Sequence, residues 1–308
     1  MRKYLLKIAI CILITLLTSG YIIAGDVTGD ELKINIREYR FMLKPAKFEN
    51  RRKAARQLWQ MVRSYAAING VSVFQKDRML FEKQQELVFL DTENRDIYRK
   101  GYLLYKITDA ARGRKKNRYD LILQRGYTDL QAAWNADFRD NVSPKAQIIL
   151  QEELRPDSVY TNNFRPFYLM KNVAEDLTTS IGKKLGDYAK IFPVLSELNI
   201  PADSELKPVN DLVYMELVYS PGVFNFGDGI KSELNISVMY EWDKRGAIVG
   251  ELFFRREITD YDNVAADAYK CNEFFGKLAG ELQDWILYGF SKAEFTYEHS
   301  SSESPAQK

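Results

Sequence analysis

Histidine is almost absent. His299 is the only one in 308 residues, and it lies in the polar, Ser-rich ending HSSSESPAQK, which reads as a disordered tail over 299–308. A Ser-His-Asp or Cys-His mechanism would have to recruit its base from that tail, which sets such chemistry aside. Cysteine is as scarce: Cys11 lies in an apolar N-terminal run and Cys271 in the helix-like DAYKCNEFFGKL. Two such residues supply neither a Cys/His metal cluster nor, once Cys11 is removed with its segment, an internal disulfide. Cys271 then reads as a small buried residue. Charge excess is missing too, with 44 Lys and Arg against 42 Asp and Glu. Specific nucleic-acid binders usually carry a basic surplus, so that class is not expected. No Pro/Gly/Ser-rich linker and no internal repeat divides the chain.

What is present begins with an address. Arg2, Lys3 and Lys7 precede the uncharged run Ile8 to Leu17, and Ala24 and Gly25 follow as small residues. This pattern predicts an export signal over 1–25 and a periplasmic or secreted protein. A segment retained to Ile23 would reach anchor length and give membrane association instead.

Beyond it, alternation predicts strands at Ile34 to Leu43, Arg78 to Glu82, Glu86 to Leu90, Tyr102 to Thr108, Arg118 to Arg125 and Ala146 to Glu152. Later strands are expected at Val213 to Tyr219, Ser232 to Trp242, Ala247 to Glu257 and Lys292 to Glu298. Helical spacing is read at Ala46 to Asn69, Thr128 to Ala136, Val173 to Ile181, Asp187 to Leu198 and Val264 to Tyr288. The expected class is α+β: a closed or nearly closed antiparallel barrel with helices outside, in one domain over 30–298. Closure would remove the exposed sheet edges.

The passage VFLDTENRDIYRKGYLLYKI, from Val88 to Ile107, followed by RYDLILQRG from Arg118, resembles the CYTH-like, or triphosphate tunnel, family. GELFFRRE from Gly250 and SKAEFTY from Ser291 are similar to the family's later strands, in the same order. The resemblance implies a tunnel in which acids hold a divalent cation and basic groups hold phosphates. The family's E-x-E-x-K strand corresponds here to Ile36, Glu38 and Arg40, with Ile36 in place of the first acid. Alternate residues share a face, which is why such a set could line one wall. Glu38 and Arg40 could equally pair with opposite charges on neighbouring strands. The resemblance offers Glu38, Glu152, Glu216 and Glu251 as metal ligands, and Arg40, Lys106, Gln124, Arg255 and Lys292 as ligand-binding groups. Gln124 stands where the family has Lys.

With that set incomplete, the expected function is binding of an anionic phosphate-bearing ligand, or of a cell-envelope partner, without efficient catalysis. Mg²⁺ or Mn²⁺ would be weakly bound. The alternative is a divergent metal-dependent triphosphate phosphohydrolase. Two basic clusters, Arg51 to Arg56 and Arg112 to Arg118, read first as solvated surface. The 19 Tyr and 17 Phe recur within strand and helix patterns and read first as core.

Overall fold

The structure is a computed structural model and describes residues 34–75, 82–109, 118–136, 138, 141–143, 145–158, 161–178, 180–242, 246–258 and 264–298. The expected export signal, the tail, most of the expected strand Arg78 to Glu82, and the loop from Arg112 to Lys116 lie outside the described residues. Among those that are described, no helix is long and apolar enough to cross a membrane.

In chain order the elements are β1 (Ile36–Leu43), α1 (Arg51–Ile68), β2 (Ser72–Gln75), β3 (Glu82–Asp91), α2 (Asp96–Arg99), β4 (Tyr102–Asp109), β5 (Tyr119–Tyr127), α3 (Leu130–Trp134), β6 (Ala146–Ser158), β7 (Thr161–Leu177) and α4 (Leu185–Ala189). There follow β8 (Lys207–Pro208), β9 (Tyr214–Asn225), β10 (Lys231–Glu241), β11 (Ala247–Glu257), α5 (Val264–Glu281) and α6 (Lys292–Glu298). Short 3-10 turns at Pro45–Phe48, Pro193–Glu197 and Val209–Asp211 link them.

The sheet closes on itself. Its order runs β9, β10, β11, β1, β6, β7, β5, β4, β3, and β3 pairs back to β9. The expected all-antiparallel barrel needs one correction, because β1 and β6 run parallel, with Glu38 beside Glu153. The barrel is therefore mixed. β2 and β8 add only short flanking ladders, on β9 and β3.

Alternation decides what each strand shows to each side. On β1, Tyr39, Phe41 and Leu43 point outward and join α1 and α5 in one buried cluster, with Phe275 stacked 4.1 Å from Tyr39. Glu38, Arg40 and Met42 point inward. Cys271 is buried in that same outer layer, as expected of a thiol that packs like a small apolar side chain. A second outer cluster covers β4 to β7 with Ala133, Leu185, Tyr188 and Leu195. The barrel thus has dry layers on the outside and a cavity of about 1040 Å³ within.

Two expected elements differ. The stretch from Val173 is not helical but is the end of the 17-residue β7, paired with β6 from Ala174 to Thr161. That long hairpin outweighs a local helical spacing. The expected last strand is the helix α6, whose start is a reciprocal cap: Glu294 Oε2 accepts from the Ser291 amide at 2.5 Å, and Ser291 Oγ accepts from the Glu294 amide at 3.2 Å. Phe295 and Tyr297 of this helix pack on the inward residues Phe89, Tyr214, Met239 and Val249, stoppering one end of the barrel.

Candidate functional site

One ion-pair network crosses the cavity. Arg40 is its hub: Nη2 donates to Glu38 Oε2 at 2.5 Å, Nη1 to Glu251 Oε1 at 2.6 Å, and Nε lies 3.1 Å from Glu153 Oε2 without hydrogen-bond geometry. The guanidinium also rests 4.8 Å from the ring of Phe253. From Glu251 the network continues to Lys292, whose ammonium bridges Glu251 and Glu216, the latter at 2.5 Å. Gln85 and Ser237 complete the shell by donating to Glu216 at 2.5 and 2.6 Å. On the other side Gln151 donates to Glu38 at 2.8 Å and accepts from Lys171 at 2.6 Å.

Burial opposes charge at each of these groups, and the neighbours decide the outcome. At Glu251, Arg40 and Lys292 overcome desolvation and hold the carboxyl down at about 2. Glu153, beside Arg40 and Arg155, and Glu216, beside Lys292, are lowered in the same way. Arg40 is carried well above its ordinary value by Glu153, Glu251 and Glu38 despite its burial. Lys292 is likewise raised by Glu216 and Glu251. Lys171 goes the other way: burial, with repulsion from Arg40 and Arg255, lowers it even though Glu38 and Glu153 pull upward.

Of the residues anticipated from sequence, Glu38, Arg40, Gln124, Glu216, Glu251, Arg255 and Lys292 all line the cavity. Glu152 and Lys106 do not. Glu152 faces the outer layer, where Arg37 Nε donates to it at 2.5 Å, and its neighbour Glu153 takes the inward position. Lys106 points away from the cavity and lies 4.7 Å from the Tyr119 ring, while Leu103, Tyr105 and Ile107 of the same strand point in. Ile36 is buried at the head of β1, opposite Glu257 and Gln151, and is not among the cavity-lining residues. Sequence reasoning missed Glu153, Lys171, Gln151 and Gln85. An alternation count along β6 could have separated Glu153 from Glu152 only with the register of β1 already known.

The Asp91-Thr92 passage holds α6 in place. Asp91 Oδ1 accepts from the Thr92 and Ile97 amides at 2.8 and 2.9 Å, and Oδ2 from the Tyr98 amide at 3.0 Å and the Tyr297 hydroxyl at 3.2 Å. Tyr98 stacks on Tyr297 at 4.0 Å, Arg95 donates to the Tyr297 carbonyl, and Asn210 donates to the Thr296 carbonyl at 2.8 Å. Arg95 and Asn210 both adopt φ of 58°, a conformation that costs about 1 kcal/mol or more outside glycine and here aims both side chains at the helix end. These contacts fix the helix whose first residue is Lys292.

No family model matches the chain, and no curated protein matches it. Solved structures do. A Hippeastrum protein named as an adenylyl cyclase and described as having a dominant triphosphatase activity is 15% identical, with 85% of this chain and 95% of that one covered at a TM-score of 0.41. A Bacillus halodurans protein named as an adenylate cyclase is 12% identical, covering 85% and 96% at 0.40. A similarly named Vibrio parahaemolyticus protein is 13% identical, covering 85% and 97% at 0.33. The closed nine-strand barrel fits the tunnel architecture that the sequence resemblance implies. Function is carried by the tunnel's own side chains rather than by these likenesses.

Those side chains, as arranged, give their carboxylate oxygens to cations of the chain itself. Among the described residues no group of three or more Asp, Glu, His or Cys side chains converges as a metal site. The reason is visible in the network: Arg40 and Lys292 stand between the carboxylates that would have to meet on an ion.

Proposed function

We propose that the protein binds an anionic, phosphate-bearing ligand in the tunnel without efficient turnover, in the cell envelope to which residues 1–25 would deliver it. Lys171 is the observation that carries this reading. Its ammonium is enclosed in the cavity wall, donates to the neutral Gln151 amide, and forms no ion pair with a described carboxylate. Arg255 lines the same cavity and has its nearest carboxylate oxygen, on Glu38, at 3.9 Å. A half-buried, cavity-facing ammonium with donors to spare gains from an anion that completes it. A phosphate does so with several acceptor oxygens at once, and suits the guanidinium fork of Arg255 as well. Turnover would require paired acids free to hold a metal, whereas Glu38, Glu153, Glu216 and Glu251 are spent on internal cations.

Thermal unfolding with inorganic tripolyphosphate, with and without Mg²⁺ or Mn²⁺, tests the reading. The transition should rise with ligand concentration, and by the same amount whether or not metal is added. Metal-dependent phosphate release that vanishes in Glu251→Gln, with the fold intact, would replace this reading with the phosphohydrolase.

A further inference from the structure

The cavity wall is not uniformly polar. On β4 the inward residues are Leu103, Tyr105 and Ile107, and each is only half buried because the remainder of its surface faces the cavity. The outward Leu104 of the same strand is fully buried beneath the outer layer, while Leu103, Tyr105 and Ile107 pack in part against the inner cluster around Phe89 and Tyr297 and turn the rest of their surface to the cavity. The part of the strip left facing the cavity does not serve ion binding, since water against Leu and Ile is unfavourable and hydrocarbon offers no partner to a polyphosphate. A strip of this kind is what the lining of a small-molecule pocket looks like: mostly apolar, with a few polar groups that fix orientation. The volume of about 1040 Å³ suits an occupant larger than a bare phosphate chain needs.

Register places the polar group beside the strip. Leu103 pairs with Gln124 on β5, and Gln124 pairs with Lys171 on β7. Lys171 therefore stands two strand spacings, roughly 10 Å, from Leu103 along one wall. Leu169, the preceding inward residue of β7, continues the apolar surface beside Lys171. The Tyr105 hydroxyl donates to Gln124 Oε1 at 3.2 Å, which occupies its polar end and leaves the Tyr105 ring as a wall. Lys171 and the hydrocarbon surface thus sit side by side on one half of the barrel, and Arg255 of β11 reaches the cavity from the half otherwise closed by its own ion pairs.

We infer that the ligand is a single-chain amphiphile with a phosphate-ester head, the head at Lys171 and Arg255 and the chain along Leu103, Tyr105, Ile107 and Leu169. This rests on the phosphate reading and extends it. Charge complementarity selects the anionic head, and the cavity-facing part of the strip selects the chain.

The test is calorimetric titration of the protein with butyl, hexyl and octyl phosphate below their micelle concentrations, alongside inorganic tripolyphosphate and octanol. Affinity should rise roughly fourfold per added methylene. Leu103→Asn and Ile107→Asn should flatten that dependence while leaving tripolyphosphate binding in place. The milder Leu103→Ala and Ile107→Ala, checked for an unchanged fold, should weaken octyl phosphate about tenfold and serve if the Asn variants do not fold. Lys171→Met should remove the preference for octyl phosphate over octanol. Phosphates that bind with no dependence on chain length would overturn the amphiphile and leave the phosphate reading standing. Octanol that binds as tightly as octyl phosphate would overturn the phosphate reading and, with it, the anionic head inferred here.

Discussion

The two halves of the tunnel wall use their inward positions in opposite ways. Across β1, β9, β10 and β11 and the start of α6, inward Glu38, Arg40, Glu216, Glu251 and Lys292 satisfy one another, with Arg255, 3.9 Å from Glu38, the loosest charge of that half. Along β4 and its neighbours, Leu103, Tyr105 and Ile107 turn part of their surface to the cavity and Lys171 has only an amide. Conspicuous charge in a cavity therefore does not by itself mark where a ligand binds. Groups that have met their needs internally hold the barrel in one arrangement. Groups left incomplete are the ones a ligand can complete.

Removing the hub should expose this contrast most strongly. Arg40→Met leaves Glu38, Glu153 and Glu251 together without their shared cation, and orphaning buried partners in this way costs about 3–5 kcal/mol. The loss should appear in urea unfolding at pH 7. In the parent, Glu251 titrates at about 2, below its ordinary 4.5, so its contribution is complete above 4.5 and disappears as the pH falls toward 2. In the variant the orphaned acids can be protonated, so the gap between the two proteins should narrow as the pH drops through that window. A loss under about 1 kcal/mol at pH 7 would mean that the charged half is not what holds the barrel.

Lys292→Ala probes the same half from the other side. The variant should lose about 3 kcal/mol, because Glu216 and Glu251 remain buried with their bridge removed. Here the missing charge can be replaced from solution: millimolar Mn²⁺ should raise the melting temperature of Lys292→Ala and leave that of the parent unchanged. If Mn²⁺ stabilises both alike, a metal position exists that Lys292 does not fill, and the charged half is not closed as described.

Much of this architecture could be read from period-two alternation. The inward Glu251 and Arg255, and the inward Glu38 and Arg40, follow from spacing alone once their strands are recognised. Where adjacent residues are both acids, as at Glu152 and Glu153, local pattern is silent. The choice is made by the parallel pairing with β1, a contact 115 residues away that is also spanned by the Arg37 to Glu152 bond. SKAEFTY shows a different failure. Its alternating apolar residues suggest a strand, yet Ser291 and Glu294 hold the S-x-x-E spacing of a helix start, and the docking contacts of Asp91, Arg95 and Asn210 lie far away in sequence. The signal was present and was outvoted by a short alternation. The apolar strip is illegible for a related reason: in YLLYKI both faces of β4 are apolar, and its one conspicuous charge, Lys106, lies on the outward face.

The smallest expected effect on stability belongs to the residue given most functional weight. Lys171 is lowered from its ordinary 10.5, first by burial and then by Arg40 and Arg255, so carrying its charge in the unliganded tunnel works against folding. That cost is present below the folded-state value and is relieved as the pH rises through it toward 10.5. Lys171→Met should therefore shift the urea midpoint at pH 7 slightly upward, by less than about 1 kcal/mol, with water in the cavity meeting the Gln151 oxygen that Lys171 leaves. The same variant should lose the thermal shift from tripolyphosphate. In the parent that shift should fade as the pH rises through the lowered Lys171 value, since a neutral amine no longer attracts the anion. A group kept charged at a cost to the empty protein, and needed only when ligand is present, is part of a binding site. A substantial loss of stability in Lys171→Met would instead place Lys171 with Arg40 and Lys292 among the structural charges, and the distinction between the two halves of the tunnel would fail at its central residue.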